Sequence, residues 1–163
     1  MARALTLAAS VIIFSFGFVL LFGAPYLPTM KRQVKVAIKL ANLRPGQVIL
    51  ELGSGDGRVL IAAAQAGLNA IGYEINPLLF LYSFVRTRRY RKQIKVVLGN
   101  FWSQSWPKCD AIYVFLLPRL MSKLEKKIRS EGLTKVTVIS FAFKFSDLTP
   151  VDEAQGIFAY RLK

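Results

Sequence analysis

The chain contains no histidine at all. That removes Ser-His-Asp and Cys-His nucleophilic catalysis and most zinc sites in one step. A single cysteine, Cys109, cannot form an internal disulfide and has no metal-ligand companions nearby in sequence. This usage points to a reducing compartment. Acids are also scarce: 9 Asp and Glu stand against 23 Lys and Arg, for a net charge of +14. Such an excess suits an anionic partner, whether a membrane surface, a nucleic acid or an acidic protein face. At 163 residues the chain is long enough for one domain with a core, not for two large domains.

Charge is missing altogether from Ala4 to Met30, "ALTLAASVIIFSFGFVLLFGAPYLPTM". About 20 apolar residues span a bilayer core, and residues 5–27 are enough. Lys31, Arg32, Lys35, Lys39 and Arg44 come closely after it. The positive-inside rule then leaves the long C-terminal part in the cytosol. The expectation is a transmembrane anchor over residues 1–30 and a catalytic domain over 31–163. A cleaved signal peptide is the rival reading, and it would export the domain away from cytosolic cofactors. A helix lying on the membrane is the third, but charge is absent on every side of this run.

The rest of the chain alternates between two periods. "KRQVKVAIKLANL" places Val34, Ile38 and Ala41 at helical spacing. "VILEL" reads as a strand, and Val59 to Ala66 as a helix stopped by Gly67. "NAIGYE" is a second strand. Asn76 and Pro77 supply a cap and first residue for a helix running to about Tyr90. "QIKVVL", "DAIYVFL" and "KVTVISFAF" read as further strands. Pro118 opens a helix with Leu120, Leu124 and Ile128 on one face. "GIFAYRL" is a last strand, too close to its predecessor for a helical crossover, so those two are expected to pair antiparallel. Alternating strands and helices predict an α/β, Rossmann-like fold with a mostly parallel sheet.

The chemistry concentrates in "ELGSGDGR". Turns of this kind hold NAD, FAD or S-adenosylmethionine (SAM). The dinucleotide fingerprint wants a small residue where Arg58 stands; the pattern here is Gly53-x-Gly55-x-Gly57. Glu51, two residues before the first glycine, would repel a pyrophosphate and suits a cationic ligand. SAM carries a sulfonium and an ammonium, and its carboxylate can use amides at the start of the next helix. Glu74 ends the second strand, where it can accept from ribose hydroxyls. Asn100 comes after the third, where it can meet an adenine edge. Three polar residues at successive strand ends, with the glycines, select SAM. Asp56 and Arg58 are placed either for a local ion pair or to reach substrate.

These residues resemble class I (seven-strand) SAM-dependent methyltransferases. "PYLPTMKRQV", "GYEINPLLF", "VFLLPRLMSKLEKKI" and "VISFAF" narrow the likeness. Together they resemble the small membrane-anchored lysine methyltransferases of the adenine nucleotide translocase and ATP synthase c-subunit type, over Ala24 to the C-terminus. The resemblance implies Glu51, Gly53, Ser54, Gly55 and Gly57 at the methionine part of SAM, Glu74 at its ribose, and Asn100 with Phe101 at its adenine. It implies transfer to a lysine of a membrane-associated protein. Phe115, Leu116 and Pro118, leaving the fourth strand, are the expected substrate channel, with no general base identified. Trp102, Tyr113 and Phe141 are further channel candidates, the last two read more readily as strand core. In the short stretch from Asn100 to Lys108 the helix that usually precedes strand four is expected to be reduced. The basic run "RTRRYRKQIK" reads as a solvated helix end, an anionic-lipid contact or, least, an RNA contact. A lipid or small-molecule methyltransferase, an RNA methyltransferase and a non-catalytic SAM-binding module remain the alternatives.

Overall fold

The computed structural model describes residue 6 and residues 29–162. The elements are α1 (Lys31–Ala41), β1 (Val48–Leu52), α2 (Arg58–Gln65), β2 (Asn69–Glu74) and α3 (Pro77–Thr87). They continue with β3 (Ile94–Leu98), β4 (Ala111–Val114), α4 (Pro118–Ser130), β5 (Thr137–Phe141), β6 (Asp152–Ala154) and β7 (Ile157–Arg161). One 3-10 turn, Arg88–Tyr90, extends α3. The seven strands form one sheet in the order β3-β2-β1-β4-β5-β7-β6. β1 to β5 run parallel, while β7 is antiparallel to β5 and β6 antiparallel to β7.

Strand direction along the chain sets two core faces. Ile49, Tyr113, Ile139 and Ile157 point to one side, where they meet Val34, Ala37 and Ala41 of α1 and Val59, Leu60 and Ala63 of α2. Leu50, Leu52, Ile112, Val114, Val138 and Tyr160 point to the other, under Met121, Leu124 and Ile128 of α4. Alternation along a pleated strand requires this partition. In α4 Leu124 and Ile128 are buried as expected, but the first inner position belongs to Met121, with Leu120 only packed at the margin. Between β3 and β4 a turn stands in place of a helix, in line with the reduction expected from its length. Its aromatic residues cover the sheet instead: Trp106 is buried, and its Nε1–H donates to the Phe101 carbonyl at 2.8 Å.

Two boundaries differ from the sequence reading. The fifth strand stops at Phe141, because Ala142 adopts the left-handed backbone at φ 67. The last strand pairs antiparallel with β5 as expected, but β6 was not anticipated. Its three residues, Asp, Glu and Ala, carry no strand signature, and the positive-φ pair Gln155 and Gly156 turns it tightly into β7. No helix among the described residues is long and apolar enough to cross a membrane. The expected anchor over residues 5–27 lies, Thr6 apart, outside the described residues. Thr29, assigned by the sequence to the anchor side, is buried against the domain.

Candidate active site

β1 has β2 on one side and β4 on the other, so the chain reverses its winding there. Ligands bind open α/β sheets at the carboxyl ends of strands at this switch point. The glycine loop sits there, between Leu52 and Arg58. Gly57 caps α2 at φ 76, and a Cβ on it would lie 2.5 Å from Ser83 Oγ and 3.1 Å from Thr87 Cγ2. Only glycine lets α3 approach this closely. Gly53, at φ 89, has nothing within 4 Å of the place a Cβ would take, so its outer side faces open space.

Glu51 is buried, and its Oε2 has no hydrogen-bond partner. Burial first, then the charges of Asp56 and Glu74, raise its carboxyl well above the ordinary range. Arg58 does little to relieve it, because that guanidinium is committed elsewhere. Arg58 Nε donates to Asp56 Oδ1 at 2.9 Å and Nη2 to Asp56 Oδ2 at 2.8 Å, while Nη1 donates to the Thr29 carbonyl at 2.8 Å. Arg86 Nη1 closes the group on Asp56 Oδ2 at 2.5 Å. Burial pushes Asp56 up, but the Arg58 hydrogen bonds and charge, with Arg86, outweigh it and hold the carboxyl below its usual range. The local ion pair of Asp56 and Arg58 is therefore the outcome of the two readings left open. Arg86 joins it from 30 residues away, a contact with no local sequence signal.

Glu74 is buried with Oε2 accepting from the Gly55 amide at 2.7 Å and Oε1 from the Asn76 amide at 2.8 Å. Burial raises its carboxyl, and those amides with that of Ile75 oppose the rise. Each carboxylate oxygen keeps a second lone pair for a hydroxyl donor. Asn76 caps α3 as expected, its Oδ1 accepting from Leu78 and Leu79. At the start of α2 the Arg58 N–H donates to Asp56 Oδ1 at 3.2 Å.

The loop fits a cationic ligand on an observation independent of any relative. Glu51 Oε2 and Ser54 Oγ are both buried without a partner beside Gly53 and its open side. Buried orphan acceptors are costly unless something fills them.

The remaining expected residues separate. Asn100 is half-buried, and its Oδ1 accepts from the Trp102 amide at 3.0 Å. Phe101 lies tilted at 41° against Trp102, with centroids 4.7 Å apart, and packs on the α4 side of the sheet. Phe115 stands 4.7 Å from the Phe141 ring and 6.1 Å from Phe143, forming an aromatic wall at the ends of β4 and β5. Leu116 is buried in the core cluster beneath α4, and Pro118 is the exposed first residue of that helix. Of the three expected channel residues, the structure brings only Phe115 into the aromatic wall. Alternation explains this, since Leu116 shares the face of Val114. Tyr113 is core, yet its hydroxyl shares a 2.8 Å hydrogen bond with Thr29 Oγ1, and it sits in register beside Glu51. Cys109 is no nucleophile here: burial, then Asp110, push its thiol up to about 12.

Seven strands in this order, with an acid ending β1, a glycine loop and an acid ending β2, define the class I methyltransferase architecture. An RNA methyltransferase from Salinibacter ruber in complex with S-adenosyl-L-homocysteine has a similar structure. It aligns at TM-score 0.76 and 26% identity, over 83% of this chain and 92% of that one. In sequence the chain is 36% identical over 130 residues to the ATP synthase c-subunit lysine N-methyltransferase of Xenopus laevis, covering 77% of this chain and 56% of that protein. It is 35% identical over 132 residues to the adenine nucleotide translocase lysine N-methyltransferase of Mus musculus, covering 78% and 56%. The chain thus spans little more than half the length of these relatives. Residues 51–152 match the family described as the ANTKMT methyltransferase domain, and the chain belongs to that family.

Proposed function

We propose that the chain is a SAM-dependent protein-lysine N-methyltransferase acting on a protein in or beside the membrane that anchors it. The observation that carries the reading is Glu51, a buried carboxylate with an unpartnered oxygen beside an open glycine. The names of the two sequence relatives support a lysine acceptor. The charge-free run of residues 4–30, with five basic residues directly after it, supports an anchor. It favours a domain on the cytoplasmic side, or the matrix side in a mitochondrion.

When bound, SAM supplies an electrophilic methyl group on a sulfonium. The chain's residues do the rest. Glu51 would hold the ligand ammonium, Ser54 Oγ would gain a partner, Glu74 would accept from hydroxyls, and the Nδ2 donors of Asn100 would meet a base edge. A lysine with pKa near 10.4 must lose a proton, which costs about 4.6 kcal/mol at pH 7, from roughly 3.4 units at 1.36 kcal/mol each. The wall of Phe115, Phe141 and Phe143 disfavours the ammonium by excluding water and lowers that cost. Nearby acids are committed: Asp56 to two arginines, Glu74 to backbone amides. The amine proton therefore leaves to solvent before transfer, and positioning in a dry channel supplies the rate.

The test is methyl labelling. Full-length protein is incubated with methyl-labelled SAM and membranes of the source cell, and products are split into protein, lipid and RNA. Label that hydrolyses to methyl-lysine is the expected outcome. Label confined to lipid or RNA overturns the reading, as does SAM binding without transfer to any fraction.

A further inference from the structure

α3 is built inside out. Its inner residues are small and polar: Ser83 and Thr87 are buried against Gly57. Its outer face carries Leu78, Leu81, Tyr82 and Val85, at positions i, i+3, i+4 and i+7, with Phe84 beside them. Their exposures run from 41% to 62%. A surface helix normally presents the reverse pattern to water. β3, the edge strand against which α3 packs, adds exposed Leu98.

Charge surrounds this patch with one sign. From Ile75 to Cys109 there is no acid, and the seven basic residues Arg86, Arg88, Arg89, Arg91, Lys92, Lys95 and Lys108 fall in the same stretch. Arg88, Arg89, Arg91 and Lys92 are exposed at the end of α3. Apolar side chains flanked by unopposed cations match a bilayer with anionic headgroups: the first enter the acyl boundary and the second meet phosphates. An RNA face would need donors and stacking rings where Leu78, Leu81 and Val85 stand.

The chain's course adds a second, independent observation. Arg86, at the end of α3, binds Asp56; Asp56 binds Arg58; Arg58 Nη1 binds the Thr29 carbonyl. Thr29, where the charge-free run of residues 4–30 joins the domain, is thus linked to the basic end of α3 through three contacts.

We propose that the outer face of α3, with Leu98 and the arginines from Arg88 to Arg91, is a membrane-docking surface that lays the domain on an anionic bilayer beside its chain entry. This stands whether or not the methyl acceptor is a lysine.

The test places a fluorescent label at position 81 (Leu81→Cys with Cys109→Ser) in the full chain. The reference is a label at position 152 (Asp152→Cys with Cys109→Ser), on the opposite edge strand β6. Both are reconstituted in phosphatidylcholine vesicles, with or without phosphatidylglycerol, that carry nitroxide lipids quenching at shallow depth. Because both proteins share the N-terminal run, insertion of that run alone cannot separate them. Strong quenching at 81 but not at 152, dependent on phosphatidylglycerol, is expected. Arg88→Glu with Arg89→Glu should shift the docking equilibrium at least roughly 25-fold, about fivefold per basic residue. Quenching at 81 should then fall to the level at 152, with the circular dichroism and thermal melt unchanged. Equal quenching at the two positions overturns the proposal. So does a label at 81 shielded from aqueous iodide yet untouched by the lipid quencher, which would mean the chain's own N-terminal run covers α3. Protection of that label by an RNA oligonucleotide instead of lipid would assign the face to nucleic acid and also overturn it.

Discussion

Replacing Glu51 by glutamine should stabilise the ligand-free protein and cut its response to SAM to about a third or less. The two effects come from one cause. Burial, with Asp56 and Glu74 nearby, raises the Glu51 carboxyl above the ordinary range. Between the unfolded and folded titration ranges the native state therefore holds a proton that the unfolded chain has released. Stability falls as pH rises through that window and stays lower above it. Glutamine keeps the shape and removes the charge. The gain comes from removing a buried charge, and a domain of this size rises roughly 2–4 °C in Tm per kcal/mol recovered. Losing a buried, hydrogen-bonded charge partner costs binding about 2–5 kcal/mol, a weakening of roughly 30-fold or more. The assay is thermal unfolding from pH 4 to pH 8, with and without SAM. At about 100 times Kd, ligand should stabilise the wild type by about 2.7 kcal/mol and, after a roughly 30-fold weakening, Glu51→Gln by at most about 0.9 kcal/mol. A glutamine variant that is less stable than the wild type at neutral pH, or that keeps the full SAM shift, would refute the assignment of Glu51 as an uncompensated buried carboxylate awaiting a cation.

Gly57→Ala forces a Cβ against Ser83 Oγ at a positive φ and should cost about 1–3 kcal/mol by denaturant unfolding; a loss under about 0.3 kcal/mol would contradict the packing argument. Tyr113→Phe removes the bond to Thr29 and should cost about 0.5–1.5 kcal/mol, with faster amide exchange around Thr29 and Met30; unchanged exchange there would show that the bond does not hold the segment. Asp56 is held below its usual range by Arg58 and Arg86 against burial. Its stabilisation is therefore complete above about pH 4 and lost as pH falls through its folded range. Arg86→Ala should lower acid resistance below about pH 4, and identical acid melts of variant and wild type would count against that pair.

The strands and helices that carry the cofactor loop were legible because local signals agreed with the fold. β2 runs over Asn69–Glu74, the residues read as the second strand, and Asn76 with Pro77 opens α3. Glu51 and Glu74 could be read as site residues because strand ends are fixed by the glycines and turns that come after them. The channel was less legible. Phe115, Leu116 and Pro118 are near neighbours in sequence, but pleat alternation sends Leu116 into the core, and only knowledge of which face Val114 occupies reveals it. β6 escaped because its Asp, Glu and Ala pair through backbone alone with β7. Arg86 was hidden inside a basic run whose members look alike, and only the fold brings one of them to Asp56.

Under the proposed function, the same fold explains how a chain without histidine would support transfer to an amine. A general base is needed when a proton must move in the transition state. Here the proton can leave beforehand, so the domain's task is to hold a cation and dry a channel. Three acids gather at the glycine loop, Glu51, Asp56 and Glu74, and the protein answers two of them itself, with arginines on Asp56 and backbone amides on Glu74. Glu51 alone keeps an oxygen unanswered. The arginines that answer Asp56 also fix the Thr29 carbonyl and the end of α3. The charge balance that leaves Glu51 open for a cation is thus the same set of contacts that ties the chain's entry and its exposed apolar helix to the site. Loosening Asp56 should therefore disturb cofactor binding and the attachment of residue 29 together, which neither a purely local loop nor an independent anchor would require.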